Sequence, residues 1–214
     1  MKKILLITLL LFQIGVYAQN DSKLNIGIEY SIDKLSIDNG KNNDYLITQG
    51  NINGYGIKFD RNNYSLGLTT KYLINEKLSL SSGLLYSNKD FIGTYNCATC
   101  DFIGTFPGYS PEKIEQRFLV IPISINYSFL SGKLKPVING GFNNNLEIKN
   151  DLKEQSKSYF LEAFIGVSMN YRFSEKWNAG IGYNYQTALT DLYKTDDFNL
   201  RTTSFNLQIE YRIK

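Results

Sequence analysis

Histidine is absent from this chain. That removes Ser-His-Asp and Cys-His nucleophilic arrangements and every His-ligated metal centre. Only two cysteines occur, spaced as Cys97-Ala98-Thr99-Cys100. Without a second pair or a histidine this spacing does not make a zinc site, and without a βαβ pattern it does not read as a thioredoxin-like redox motif. Long apolar runs are missing too. Ile4 to Val16 is the most apolar stretch, and it falls short of the roughly 20 residues that a transmembrane helix needs. A basic stripe is also lacking. Formal charge is +3, and Lys2 and Lys3 supply two of those charges, so nucleic acid is not an expected partner.

Lys2 and Lys3 precede the apolar run, and Val16-Tyr17-Ala18 places small residues where a signal peptidase cuts. Residues 1–18 are therefore expected to be an export leader, and residues 19–214 one domain. Aromatic, Gly, Asn and Ser residues are abundant and prolines number four, which suits an all-β unit. Eight segments alternate apolar with polar: Leu24 to Ile32, Tyr64 to Ile74, Leu78 to Asn88, Gln116 to Phe129, Pro136 to Leu146, Ser158 to Phe173, Trp177 to Leu189 and Thr202 to Ile213. Short connections (Asn75 to Lys77, Leu130 to Lys135, Ser174 to Lys176) alternate with long ones. The pattern predicts an eight-stranded antiparallel up-and-down transmembrane β-barrel with short periplasmic turns and long extracellular loops.

That direction of travel sorts the outward aromatics to the two strand ends. Tyr72, Tyr127, Phe129, Tyr171, Phe173, Trp177 and Tyr211 gather at the short-turn end, and Tyr64, Tyr86, Tyr159, Tyr185 and Phe205 at the other. Membrane interfaces favour such belts, whereas a soluble sandwich has no need of them. Inward positions hold Glu29, Lys71, Glu162, Arg172, Glu210 and Arg212, three acids and three bases that read as an internally neutral lumen network. Leu85, Phe118, Val120, Phe160 and Phe164 add bulk, so the lumen is expected to be filled rather than open.

The long loops hold the remaining candidates. In an oxidising compartment Cys97 and Cys100 favour a structural disulfide, with surface thiols or metal capture as alternatives. Phe102, Phe106 and Tyr109, beside Pro107 and Pro111, form an apolar stretch that either packs over the barrel mouth or contacts a partner. Asp38 to Asp44 is oxygen-rich but lacks calcium-loop spacing, and Asp196-Asp197 are adjacent rather than opposed, so both read as solvated loop. Gly54 to Phe59 also alternates, so part of the first long loop, together with Tyr45 to Thr48, is expected to extend the sheet above the membrane as a hairpin. Were that hairpin to enter the membrane, the barrel would have ten strands; its shortness favours eight.

Phe118-Leu119-Val120-Ile121-Pro122-Ile123-Ser124-Ile125-Asn126-Tyr127, a Gly-Lys turn, Pro136-Val137-Ile138-Asn139-Gly140-Gly141 and Leu78 to Ser87 resemble the PorT-like outer-membrane β-barrel family. The resemblance implies an OmpA/OmpX-like eight-stranded barrel. It carries no function, because some relatives assist secretion or gliding machinery and most have no assigned role. Outer-membrane barrel enzymes rely on histidine, so no enzyme is expected here. Unlike many such barrels, the chain ends on Lys214 rather than an aromatic.

These readings converge on a small, non-enzymatic, monomeric outer-membrane barrel that acts through its surface loops, with no cofactor and no metal. Outer-membrane lipid and lipopolysaccharide, and the barrel insertion machinery during assembly, are the expected partners. An accessory place in a secretion or surface-assembly complex, with an envelope or secretion protein as partner, is the alternative. A narrow channel is the third reading.

Overall fold

The computed structural model describes residues 23–39, 45–49, 53–59, 63–97, 111–194 and 198–213. Twelve strands occur among them: β1 (Leu24–Asn39), β2 (Tyr45–Gln49), β3 (Asn53–Lys58), β4 (Asn63–Leu73), β5 (Leu78–Asn88), β6 (Phe91–Cys97), β7 (Glu112–Ile114), β8 (Gln116–Ser128), β9 (Leu134–Asn150), β10 (Tyr159–Arg172), β11 (Trp177–Ala188) and β12 (Phe198–Arg212). Eight of them close an antiparallel barrel in the order β1-β12-β11-β10-β9-β8-β5-β4. Closure comes from β1, which pairs with β12 on one side and β4 on the other.

Strand count and order are as the alternation predicts. The other four strands form a separate sheet, β2-β3-β6-β7, which joins the first long loop to the second. The β2–β3 hairpin therefore adds no strands to the barrel. Its Asn53 to Lys58 strand pairs instead with Phe91–Cys97 of the next loop.

Three barrel strands run well beyond the predicted segments. β1 continues seven residues past Ile32 and pairs Asp33 to Asn39 with Ser204 to Phe198 of β12. β9 reaches Asn150, beyond Leu146. In β1 and β12 the physical reason is a change of phase. Up to Ile32 the apolar side chains of β1 point outward, with Ile28 57% and Ile32 51% exposed. From Asp33 onward Lys34 and Ser36 point out while Leu35 and Ile37 turn inward, and Leu35 is buried. β12 repeats this, with Leu200 buried inward below an outward run of Phe205, Leu207 and Ile209. A continuous outward apolar face ends in each of these two strands where the phase inverts.

Side chains cap the short turns. In 74–77 the Asn75 Oδ1 accepts the backbone N–H groups of Lys77 and Leu78 at 2.9 and 2.8 Å. In 173–176 the Ser174 Oγ accepts those of Lys176 and Trp177 at 3.2 and 3.0 Å. Rings cluster at both strand ends: Tyr127 lies edge-on to Phe129 and Trp177 to Tyr211 beside the short turns, and Tyr30, Tyr64 and Tyr86 form a chain of tilted pairs nearer the other end. Pro122 stands inside β8 without an N–H to donate. The β5–β8 ladder is interrupted at that level, between the Ser82↔Ile123 and Leu85↔Val120 pairs.

Small residues allow the wall to bend tightly. A Cβ on Gly67 would sit 2.1 Å from the Leu84 carbonyl oxygen, and one on Gly141 2.0 Å from that of Ile123. Both obstacles are backbone and neither can swing away. Gly67→Ala should therefore destabilise the barrel by about 1–3 kcal/mol through overpacking. Gly140→Ala, whose Cβ would meet its nearest neighbour at an ordinary 3.5 Å, should change stability little. Urea unfolding followed by the gel mobility of folded against heated protein checks the contrast, and equal midpoints for the two variants would refute it.

Candidate functional site

Strand alternation sends one side chain in two into the lumen, and what lies there changes along the barrel axis. At the long-loop end the inward residues are bulky. Phe118 and Phe160 are wholly buried and meet edge to face at 5.2 Å between ring centroids. Leu35, Leu85, Val120 and Leu200 from the wall join Phe91, Ile114, Leu152, Leu192 and Tyr193 from the loop segments in a single apolar cluster. The loops thus fold over the mouth and pack into it. Burial of this many large side chains is the main stabilising term for the closed end.

Polar links tie the plug to the wall. Tyr193 donates its hydroxyl hydrogen to Gln116 Oε1 at 2.8 Å, Gln116 Nε2 donates to Asn150 Oδ1 at 3.1 Å, and Asn150 Nδ2 donates to Ser156 Oγ at 2.6 Å. Burial pushes the Tyr193 phenol above its ordinary range, so it stays a neutral donor. Around the outer rim, Glu115 gathers Lys113 at 2.7 Å, Lys149 at 2.5 Å and Arg117 at 3.1 Å, and Lys113 reaches on to Asp90 at 3.1 Å. This carboxylate staples β7, β8 and β9. Hydrogen bonds from Lys113 and then Lys149, helped by the Arg117 charge, hold its carboxyl down to about 2.

Directly beneath the plug, Lys89 and Glu162 form an ion pair at 3.4 Å with side chains only 4% and 1% exposed. Asn145 Nδ2 donates to the other Glu162 oxygen at 2.9 Å, and the Lys89 ammonium lies 5.8 Å from the centre of the Phe160 ring. The partner that Glu162 finds is thus Lys89, just beyond β5, a position that strand-by-strand counting assigns to a loop. Of the six inward charges read from the sequence, Lys71 and Glu210 meet as an ion pair, and Asn25 Nδ2 donates to Glu210 at 3.2 Å. Glu29 lines the central cavity, whereas Arg172 and Arg212 stand at the short-turn mouth without an ion pair to any described carboxylate.

Between plug and mouth the lumen is polar. Asp33, buried, accepts hydrogen bonds from the hydroxyls of Ser31, Ser65 and Ser204 at 2.8, 2.6 and 2.6 Å. Asn143, Gln186 and Ser204 continue the chain of bonds across β9, β11 and β12. These groups, with Phe164, surround a cavity of about 100 Å³, room for a few water molecules and not for a solute stream. Among the described residues no group of three or more Cys, Asp or Glu side chains is arranged to hold a metal ion. Cys97 ends β6, but Cys100 and the loop stretch Phe102, Phe106 and Tyr109 lie outside the described residues.

Residues 4–212 match the outer membrane protein beta-barrel domain family. The chain belongs to this family. Among solved structures, Neisserial surface protein A is similar, with a TM-score of 0.57 at 13% identity over 89% of this chain and 97% of that one. OprG of Pseudomonas aeruginosa gives 0.49 at 12% identity, covering 89% and 94%. Outer membrane protein W of E. coli gives 0.48 at 16% identity, covering 89% and 97%. A comparison with curated proteins finds no match. At these identities the likeness to solved structures concerns the fold alone, and the family supplies the outer-membrane setting.

Two predictions follow from the closed end. Lys89→Met leaves the Glu162 carboxylate buried without its cation and should cost about 3–5 kcal/mol, whereas the double variant Lys89→Met with Glu162→Gln should recover most of that loss; urea midpoints of the single and double variants check it, and additive losses would exclude the pairing. The second concerns pH. A carboxyl whose pKa falls from 4.5 to about 2 on folding stabilises fully above pH 4.5 and loses that contribution as the pH drops toward 2. Amide exchange at the β7–β8 junction, corrected for intrinsic rate, should stay protected at pH 5 and open as pH 2 is approached. Glu115→Gln should be open already at pH 7, and equal protection in variant and wild type would exclude the staple.

Proposed function

We propose that the chain is a small, non-enzymatic barrel of the outer membrane, exported by the leader of residues 1–18, with short turns in the periplasm and long loops outside. The observation that carries this reading is the inversion of phase along β1 and β12. A barrel wall surrounded by water throughout would keep polar residues outward over its whole length. This one presents Leu68 at 66% exposure and Val167 at 59% through its middle, then turns polar outward and apolar inward at Lys34, Ser36 and Arg201. Lipid around the middle and water around the long-loop end account for both halves of the pattern. Outer-membrane lipid is therefore the first partner, with lipopolysaccharide around the outer rim. The insertion machinery would handle the chain in transit.

Chemistry in the membrane has little support. The chain has no histidine, and beneath the packed plug Glu162 and Glu210 are held by lysines and Asp33 by hydroxyls. A wide pore is disfavoured for the same reason, since eight-stranded barrels have interiors that side chains just fill. Function on this reading lies in the loop ends, as a contact surface for envelope or external partners. The alternative is an accessory place in a secretion or surface-assembly complex, for which the β2-β3-β6-β7 sheet, separate from the barrel sheet, gives a partner a folded surface to meet.

Reconstitution into planar bilayers tests the central claim. The expected result is membrane insertion, seen as a heat-modifiable gel shift, without porin-sized single-channel steps. Large, reproducible conductance steps would overturn the closed-barrel reading, and failure to partition into lipid would overturn the membrane reading.

A further inference from the structure

The short-turn mouth differs from the plugged end in carrying more positive than negative charge. Lys71, Lys135, Arg172 and Arg212 line one inward cleft there, together with Glu210 and the turn residue Glu76. Lys71 takes Glu210 as its partner, and Asn25 shares the same carboxylate. Arg172, Arg212 and Lys135 share this cleft and form no ion pair with any described carboxylate. The barrel register sets them on one stretch of wall. Lys135 of β9 faces Asn170 of β10, Arg172 follows two residues along that strand, and Asn178 of β11 stands between Arg172 and the Glu210 position of β12, just before Arg212. Outside them a wider cleft of about 560 Å³ brings Lys133 and Lys176 to the same two arginines, against the single acid Glu175.

One atom marks the arrangement as unfinished. The Arg212 Nε is buried and has no hydrogen-bond partner. A buried donor on a guanidinium left unsatisfied is costly, more so beside like charges in a narrow low-dielectric mouth. Guanidinium forks present paired N–H groups that match an oxyanion, and a cleft lined by one sign of charge concentrates such ions. We propose that Arg172, Arg212 and Lys135 form a phosphate-binding site at the short-turn mouth. The same chemistry serves a free phosphate entering the cleft or the headgroup phosphate of a phospholipid at the adjoining membrane edge, where Trp177 and Tyr211 form the outer face of the rim.

The test uses the full mature barrel, folded in a maltoside detergent free of phosphate and titrated with inorganic phosphate against sodium chloride of matched ionic strength. Arginine Nε–Hε resonances of the wild type should shift saturably with phosphate and not with chloride, and thermal unfolding should move up by several degrees. In the Arg172→Gln, Arg212→Gln variant the apparent affinity should drop at least tenfold. That variant relieves repulsion and is expected to fold, and the wild-type resonances provide a readout that does not depend on it. A second arm uses bicelles containing phosphatidylglycerol. Saturation by inorganic phosphate supports the site with free phosphate as its source; a response only to the lipid supports it with the headgroup as source. Equal shifts with chloride, no response in either arm, or unchanged affinity in the variant would overturn the proposal.

Discussion

The pairing of β1 with both β4 and β12 is the constraint on which the rest of the molecule depends. A sheet that closes has no edge, so apart from the break at Pro122 the backbone N–H and C=O groups of the wall pair strand to strand without water. Only then can the outer face be apolar over its whole circumference and meet lipid. Closure with eight strands also limits the lumen to the width of a few side chains, which is why every inward residue has to be accommodated by its neighbours. Gly67 and Gly141 stand where the wall approaches itself too closely for a Cβ. Elsewhere serine, asparagine and glutamine fit the width and bond to one another.

With the lumen so narrow, charge inside it is handled locally. Lys89 with Glu162 under the plug, and Lys71 with Glu210 nearer the turns, are separate pairs, each supplemented by an asparagine amide. A single neutralising network spanning the lumen would need side chains to reach along the barrel axis, past the Asp33 hydroxyl cluster. The two ends then diverge. One is sealed by aromatic and aliphatic packing from the loops, and the other is left polar and cationic.

Much of this was legible in the residues. Strand number, the direction of each strand, the outward apolar band, the aromatic rings at both ends, and Leu85, Phe118, Val120 and Phe160 as filling all follow from period two, because each depends only on which side of a local ladder a residue occupies. Three things were not legible. The true length of β1 and β12 was hidden because the apolar face changes sides where the surroundings change, and a search for one unbroken face ends there. The joining of β3 to β6 was hidden because it pairs segments from two different loops, and neither carries a signal naming the other. The partner of Glu162 was hidden because Lys89 lies past the end of a strand, where alternation no longer assigns a side.

The sequence by itself determined the wall: alternation is a local property, and closing eight such strands leaves one arrangement that buries backbone and exposes a lipid-compatible face. Only the tertiary structure decided the two ends. Which loop residues fill the mouth, which acid takes which base, and why Arg172 and Arg212 stand without a carboxylate all depend on distances between residues far apart in the chain. Those distances are set by register around the closed barrel, and register becomes definite only when the last strand has paired with the first.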